Sequence, residues 1–331
     1  MMSLVAALDY PLDLAPTTAL KPRLRVVLLG CGTVNSGVLA GLEDMPGQVE
    51  IAAIVTRRPR NESEGAYAWL TDLTAAFDTG PDLVIDALPD CAAAEKALAL
   101  AVERGVHVIS ANKAVIARRP DLEAKARRAG LGFAYSAAVG GGVPVLETVA
   151  RLKASGETIT RVRGVLNGTS NFVLGLLEKG IGFDDAIAAA QAAGFAEEDP
   201  SADLDGLDAA AKLALIARAA FDIAPDPYAI PADSLFDLSV GQILGARENG
   251  LRYRQLAELS VQAEGVVATV RLQALPEDHA LARVENEENA VEIDCASGTR
   301  IVLNGKGAGQ TPTAGSVLSD VRALLANGGA G

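Results

Sequence analysis

The sequence predicts an α/β protein made of a doubly wound parallel-sheet domain followed by a smaller α+β domain. Three observations carry this. From Leu24 onward, apolar runs of strand length alternate with Ala- and Leu-rich helical stretches, and continuous apolar strands separated by helices mean a parallel sheet covered on both faces. A glycine-rich turn, Gly30-Cys31-Gly32, joins the first such strand to the first helix. With 331 residues, the chain also exceeds the ~100–200 of a single domain.

The elements follow in order. LRVVLLG (24–30), VEIAAIVTR (49–57), PDLVIDALP (81–89), VHVISA (106–111) and LGFAYSAAV (131–139) read as strands. Between them, TVNSGVLAGLEDM (33–45), AYAWLTDLTAAF (66–77), AAAEKALALAVERG (92–105) and ARRPDLEAKARRAG (117–130) read as helices. After Gly140 the alternation weakens. A turn of Gly140, Gly141 and Gly142 before Pro144 opens a helix, TRVRGVLNG (160–168) reads as a strand, and helices are expected near 169–179, 183–194 and 204–221. VVATVRLQALP (266–276), NAVEIDCA (289–296) and RIVLNG (300–305) read as strands of a second sheet, and a Gly-rich turn then feeds a last helix. The expected division is an N-terminal arm (1–23), a dinucleotide-binding domain (24–150), a substrate and dimerisation domain (151–304), and a C-terminal segment (305–331) returning to the nucleotide domain. The arm lacks a basic start and a long apolar block, so it is a poor signal peptide.

Composition narrows the function classes. Lys plus Arg is 29 against 42 Asp plus Glu, a formal net charge of −13. That balance argues against nucleic acid or an anionic membrane as partner, since both need basic patches. No apolar run approaches the ~18 residues of a membrane span. Three scattered cysteines (Cys31, Cys91, Cys295) and two histidines leave little for a His/Cys metal site. These features predict an acidic, cytoplasmic enzyme acting on a small molecule.

Four motifs carry chemistry. In Gly30-Cys31-Gly32-Thr33-Val34-Asn35-Ser36-Gly37, Gly30 permits a tight turn and Gly32 lets the backbone approach a pyrophosphate. The helix N-terminus at Thr33 and Val34 offers free N–H groups to that anion. This is the Rossmann-type pattern, with Asn35 in place of its third glycine and Gly37 expected to supply close helix–strand packing. The second strand ends in Arg57 and Arg58, where an NAD enzyme usually carries an acid for the ribose 2′-OH. Guanidinium suits a 2′-phosphate instead, which favours NADP and leaves NAD open. Ser110-Ala111-Asn112-Lys113-Ala114 follows a strand, so Lys113 faces the end of the sheet where ligands bind. Finally, Ala190–Lys212 packs Glu197, Glu198, Asp199, Asp203, Asp205 and Asp208 around an otherwise apolar helix. Asp208 and Lys212 share one face of it. Such a cluster suits a ligand with an ammonium group.

Ala190–Lys212 resembles the signature segment of homoserine dehydrogenases. S-A-N-K-A resembles that family's T-A-N-K-A, V-L-N-G-T-S-N (165–171) its I-L-N-G-T-T-N, and G-K-G-A-G-Q-T-P-T-A (305–314) its C-terminal nucleotide-contacting loop. With the Gly30–Gly37 loop, the likeness runs in order from Leu24 to the end. It implies NAD(P)-dependent interconversion of L-aspartate 4-semialdehyde and L-homoserine by a homodimer. Lys113 and Lys212 are then the catalytic lysines, with Asp208 beside them. Glu197 and Asp203 bind substrate, Gly168 and Thr169 line the join of substrate and cofactor, and Gly307 and Gly309 close over the nicotinamide end. A related reductase of another amino-acid-derived carbonyl, or an idle NADP-binding paralogue, is the alternative. The chain departs from the family where Ser136 replaces a glutamate that helps bind a monovalent cation beside backbone carbonyls, here those of Val139, Gly141 and Val143. A hydroxyl brings no charge to such a site, so weak or absent sodium dependence is expected, the alternative being that another acid reaches in from the second domain and restores the charge. Neither a regulatory amino-acid-binding domain nor an aspartokinase fusion is expected. The apolar alternation of 266–302 on a thin domain points to dimerisation through the second sheet.

Overall fold

The computed structural model describes residues 23–59 and 67–328; all but the last residue of the N-terminal arm lies outside the described residues. In chain order, the first sheet is built from β1 (Leu24–Leu29), α1 (Thr33–Glu43), β2 (Val49–Val55), β3 (Ala68–Leu70), α2 (Leu73–Asp78), β4 (Leu83–Asp86), α3 (Cys91–Glu103), β5 (His107–Ser110), α4 (Lys113–Arg118), α5 (Pro120–Arg128) and β6 (Phe133–Ala134). The strands are parallel in the order β3-β2-β1-β4-β5-β6. Strand order reverses between β2-β1 and β4, the switch point beside which doubly wound sheets bind ligands. The runs LRVVLL and LVID are apolar throughout because both faces are covered. Val27, Leu29 and Val84 pack with Ala94 and Leu98 of α3, while Val26, Leu28 and Ile85 pack with Val38 and Leu42 of α1.

The expected doubly wound domain is present, and three of its elements differ in detail. The stretch 66–77 is not one helix. Tyr67 and Trp69 meet edge-to-face with centroids 5.8 Å apart, and the aromatic run pairs as β3 with β2, a preference of aromatic residues at strand positions. Asp72 then caps α2 by accepting from Ala75 N at 2.8 Å. The helix expected over 117–130 is broken at Arg119: Ala117 and Arg118 end α4 and α5 starts at Pro120, because the proline removes a backbone donor and forces Arg119 out of helical geometry. The strand expected over 131–139 shortens to β6 and passes into a 3₁₀ turn at Ser136–Ala138.

The rest of the chain forms α6 (Val145–Ala154), β7 (Ile159–Val165), α7 (Gly168–Leu177), α8 (Phe183–Ala192), α9 (Ser201–Leu204), α10 (Leu207–Phe221), α11 (Val240–Glu248), β8 (Leu251–Gln262), β9 (Gly265–Pro276), β10 (Glu288–Cys295), β11 (Arg300–Lys306) and α12 (Gln310–Gly328). The second sheet is antiparallel, in the order β11-β10-β7-β8-β9. The helix expected over 204–221 begins at Leu207, since Gly206 turns through φ +75° after α9.

Register fixes what each face of this sheet does. The rows Ile301-Ile293-Val162-Leu259-Ala268 and Leu303-Val291-Gly164-Ala257-Val270 lie on one face, and they join a core with Ala209, Leu213 and Ile216 of α10. The apolar rows are therefore covered within the chain, which corrects the premise that the domain is too thin to bury them. The opposite face carries ion pairs, Arg161–Asp294 at 2.7 Å and Arg163–Glu292 at 2.8 Å, beside the exposed Val267 and Val302.

The C-terminal helix α12 packs against α1 and shares its core through Ala314, Val317, Val321 and Leu324. Two glycines permit the approach. A Cβ on Gly37 would stand 2.9 Å from the Ala314 Cβ, and one on Gly41 would overlap Leu318. Gly37 thus serves the α1–α12 contact and not the helix–strand packing expected of it. Among the described residues, no helix is long and apolar enough to cross a membrane.

Candidate active site

The placement of Lys113 begins at the end of β4. Burial raises the pKa of Asp86 even though the carboxylate accepts from Leu88 N at 3.0 Å and Ser110 Oγ at 2.8 Å. Ser110 Oγ accepts the Asn112 N–H at 3.0 Å, and Asn112 caps α4 by accepting from Val115 N at 3.3 Å. Lys113 is consequently the first residue of α4, just beyond the carboxyl ends of the parallel strands.

From the other sheet's side, α10 brings Asp208 and Lys212, one helical turn apart. Lys113 Nζ donates to Asp208 Oδ1. Lys212 Nζ lies 2.8 Å from Asp208 Oδ2 and also donates to the Leu166 carbonyl at 2.7 Å. Asn167 Nδ2 donates to Asp208 Oδ2 at 2.9 Å and to Asp203 Oδ1 at 2.6 Å. Burial alone would raise the Asp208 carboxyl, but the Lys212 and Lys113 ammonium groups outweigh it and hold the acid well below the usual carboxylate range. Asp203 goes the other way. Burial raises it, the neighbouring Asp208 charge adds to the rise, and the Asn167 amide works against both.

Asp203, Asp208 and Lys212 line a cavity of about 1150 Å³ with Asn167, Gly168 and Thr169 and with Gly307, Gly309 and Gln310, the last at the start of α12. Thr169 Oγ1 donates to the Phe195 carbonyl at 2.5 Å, which ties α7 to the segment after α8. A Cβ on Gly307 would overlap the Asn289 amide, and Gly309 adopts φ +115°. The wall therefore offers Lys212 and two carboxylates with opposed proton affinities, with Lys113 bonded to Asp208 beside it, a set able to bind an ammonium group and move a proton at an adjacent oxygen. Glu197 is not brought into this set. It is exposed and does not line the cavity, and its main-chain oxygen accepts from Gln191 Nε2 at 3.1 Å.

A second cavity, about 980 Å³, is lined by Gly30, Cys31, Gly32, Thr33, Val34, Arg57 and Arg58. Gly32 is the N-cap of α1 and supplies no side-chain hydrogen bond, so the first amides of that helix are left for an anion. A Cβ on Gly30 would stand 3.1 Å from the Ala87 carbonyl. Asn35 is fully buried, and its amide donates to the carbonyls of Leu29 at 3.1 Å and Gly30 at 2.9 Å. It ties the strand end to the helix start while leaving Gly30 and Gly32 free to face a dinucleotide. These residues fit a nicotinamide dinucleotide.

At the turn where the resemblance implies a cation, an acid comes from the C-terminal helix. Ser136 brings no charge, yet Asp320 of α12 does. Ser136 Oγ donates to Asp320 Oδ1 at 2.8 Å and Ser136 N–H to Oδ2 at 3.2 Å. Burial raises the Asp320 carboxyl well above its ordinary value, and the nearby Glu147 carboxylate adds to this. Glu147 is itself raised by burial, and its Oε2 is buried without a hydrogen-bond partner. Val139, Gly141 and Val143 are buried in the same turn, and the Gly141 carbonyl accepts from Ser316 Oγ. Two buried carboxylates and an unsatisfied oxygen suit a monovalent cation, so the residues present fit one.

Of the residues that shape these sites, the motifs led to Lys113, Asp203, Asp208 and Lys212 but not to Asn167, Glu147 or Asp320. Asn167 stood inside V-L-N-G-T-S-N with a legible signal, an N-cap before a helix. Asp320 lies 184 residues from Ser136, and no local pattern connects them.

Two family models match the chain: homoserine dehydrogenase over residues 144–321 and homoserine dehydrogenase, NAD binding domain, over residues 30–136. The homoserine dehydrogenase of Pseudomonas aeruginosa is 34% identical over 314 residues, 91% of this chain and 72% of that protein. The NAD(+)-dependent homoserine dehydrogenase of Pseudomonas canavaninivorans is 35% identical over 283 residues, 82% of this chain and 80% of that protein. The crystal structure of a homoserine dehydrogenase from Thiobacillus denitrificans superposes with a TM-score of 0.83 at 29% identity, covering 91% of this chain and 72% of that one. With its parallel nucleotide-binding sheet, its antiparallel second sheet and its paired lysines, the chain belongs to the homoserine dehydrogenase family of NAD(P)-dependent oxidoreductases.

Proposed function

We propose that the cavity between the two sheets interconverts L-aspartate 4-semialdehyde and L-homoserine, with Lys113, Asp208 and Lys212 as its catalytic residues. The observation that supports this is the meeting of two lysines from helices of different domains, α4 and α10, on the two oxygens of one largely buried carboxylate. A nicotinamide dinucleotide held there would supply hydride-transfer chemistry at the carbon that carries the reacting oxygen. Reduction of the aldehyde leaves negative charge on that oxygen, and a positioned acid must meet it. One of Lys212 and Lys113 donates the proton while the other orients the carbonyl. In the opposite direction the same lysine takes the hydroxyl proton. Asp208 holds both Nζ atoms within reach of one point, and Asp203 receives the substrate ammonium. Gly168 and Thr169 would border the substrate, and Gly307 and Gly309 would cover the nicotinamide end, while Glu197 is given no part.

Gly30, Gly32, Thr33 and Val34 would hold the pyrophosphate, and Arg57 with Arg58 a 2′-phosphate, which makes NADP the preferred cofactor. Glu147 and Asp320 would hold a monovalent cation with the carbonyls of Val139, Gly141 and Val143. When bound, it balances two buried charges beside the Gly140–Val143 turn. This reverses the expectation that Ser136 leaves the enzyme indifferent to sodium. We place the enzyme in the cytoplasm as a homodimer joined through the open face of the second sheet, where Val267 and Val302 are exposed. The discriminating experiment compares homoserine with 4-hydroxybutanoate, which lacks the α-amino group. Homoserine is expected to be oxidised at least about tenfold more efficiently, the scale of one charge-assisted contact. Equal kcat/KM for the two contradicts the reading.

A further inference from the structure

Asn167 is the best-connected side chain of the cavity wall to which the proposed mechanism gives no part. It is 4% exposed and is the N-cap of α7, where its Oδ1 accepts from Ser170 N at 2.7 Å. That contact fixes the amide. The Ser170 N–H can only donate and the two carboxylates accept, so the oxygen must face the helix and the nitrogen must face the acids. Both Nδ2 protons are then spent, one on Asp203 Oδ1 at 2.6 Å and one on Asp208 Oδ2 at 2.9 Å. The two acids reach it from separate segments, 36 and 41 residues further along the chain. No other side chain among the described residues is seen to bond both.

We infer that Asn167 is a positioning residue that keeps Asp203 available for the substrate ammonium while Asp208 stays committed to the lysines. Two carboxylates side by side repel, and each would draw the Lys212 ammonium towards itself. A neutral double donor between them satisfies one oxygen of each without competing for the lysines. The amide also opposes the rise of the Asp203 carboxyl caused by burial and by the Asp208 charge, so Asp203 stays ionised to lower pH than it otherwise would. The inference rests on the reading of this cavity as the homoserine site.

Two variants keep the cap and remove the bridge. Serine and aspartate are as good as asparagine at an N-cap, so Asn167→Ser and Asn167→Asp retain an acceptor for Ser170 N–H. Serine is too short to serve both acids, and aspartate sets a third carboxylate against them. The experiment measures kcat, KM for homoserine and the pH dependence of kcat/KM, with the thermal midpoint as a check on folding and Asp203→Asn as a control on the site. In Asn167→Ser, KM for homoserine is expected to rise about tenfold, the scale of a hydrogen bond to a charged group, and the acid limb of kcat/KM to move to higher pH. Asn167→Asp is expected to move it further. If Asp203→Asn raises KM while both Asn167 variants keep the wild-type KM and pH profile and change only the midpoint, Asn167 is a helix cap and the inference is overturned. If Asp203→Asn itself leaves KM unchanged, the reading of the site fails and takes the inference with it.

Discussion

Arg57 and Arg58 show how little of a side chain's role is settled by its own position. Both are exposed at the edge of the nucleotide cavity. If they read the 2′-phosphate, Arg57→Ala raises KM for NADP at least about tenfold, from a charge-assisted contact of ~1.5–3 kcal/mol, and leaves KM for NAD nearly unchanged. Steady-state kinetics with each cofactor checks this; equal changes for both count against it. Lys113, Asp208 and Lys212 were legible in sequence because their spacing and motif contexts are local. Asn35 was legible as a departure but not as a solution, since its amide works through carbonyls of β1 that only the fold brings near. Glu197 shows the opposite case, a charge inside a motif that the fold leaves exposed outside the cavity.

The elements that patterning revealed were those with one chemical character. The parallel strands read as unbroken apolar runs because helices cover both faces. β8 was missed because LRYRQLAELSVQ mixes Arg252, Arg254 and Glu258 into its alternation. Burial of Arg254 lowers its pKa, against the opposing pull of the Glu178 carboxylate 2.9 Å away, so here charge lies inside the fold. α11 was missed because VGQILGARE buries only Ile243. The docking of α12 on α1 depends on absent side chains, a feature that composition does not report. Gly37→Leu is expected to destabilise the protein by about 1–3 kcal/mol, the usual cost of overpacking, because its first added carbon already crowds Ala314. A chemical denaturation curve measures this, and an unchanged midpoint shows that the helices are not held at that distance.

At the scale of the whole molecule, α12 joins the end of the chain to the nucleotide domain and supplies the charge at Ser136. The raised Asp320 and Glu147 carboxyls set the sign of a pH effect. Because the fold binds their protons more tightly than the unfolded chain does, the stability they contribute is fully present below their ordinary values, 3.8 and 4.5. It is lost as pH rises through the higher values they hold in the fold. A cation at the proposed site would offset that loss. Sodium chloride is therefore expected to raise the thermal midpoint above that in choline chloride of equal ionic strength, more at pH 8 than at pH 5, and Glu147→Gln to abolish the difference. Identical midpoints in the two salts at pH 8 contradict a cation there.

The most direct test of the account concerns the cluster that joins the two domains. Lys212 lines the first cavity and is not among the residues lining the second, and its polar partners are Asp208 and the Leu166 carbonyl, so Lys212→Met is expected to separate chemistry from cofactor binding. Homoserine oxidation is followed by the absorbance of the reduced nicotinamide, and the Kd for NADP by fluorescence titration. The account expects kcat to fall at least about 100-fold, the lower end for loss of a positioned acid–base group, with an unchanged Kd for NADP. A Lys212→Met enzyme that binds NADP normally and retains wild-type kcat would show that the chemistry happens elsewhere.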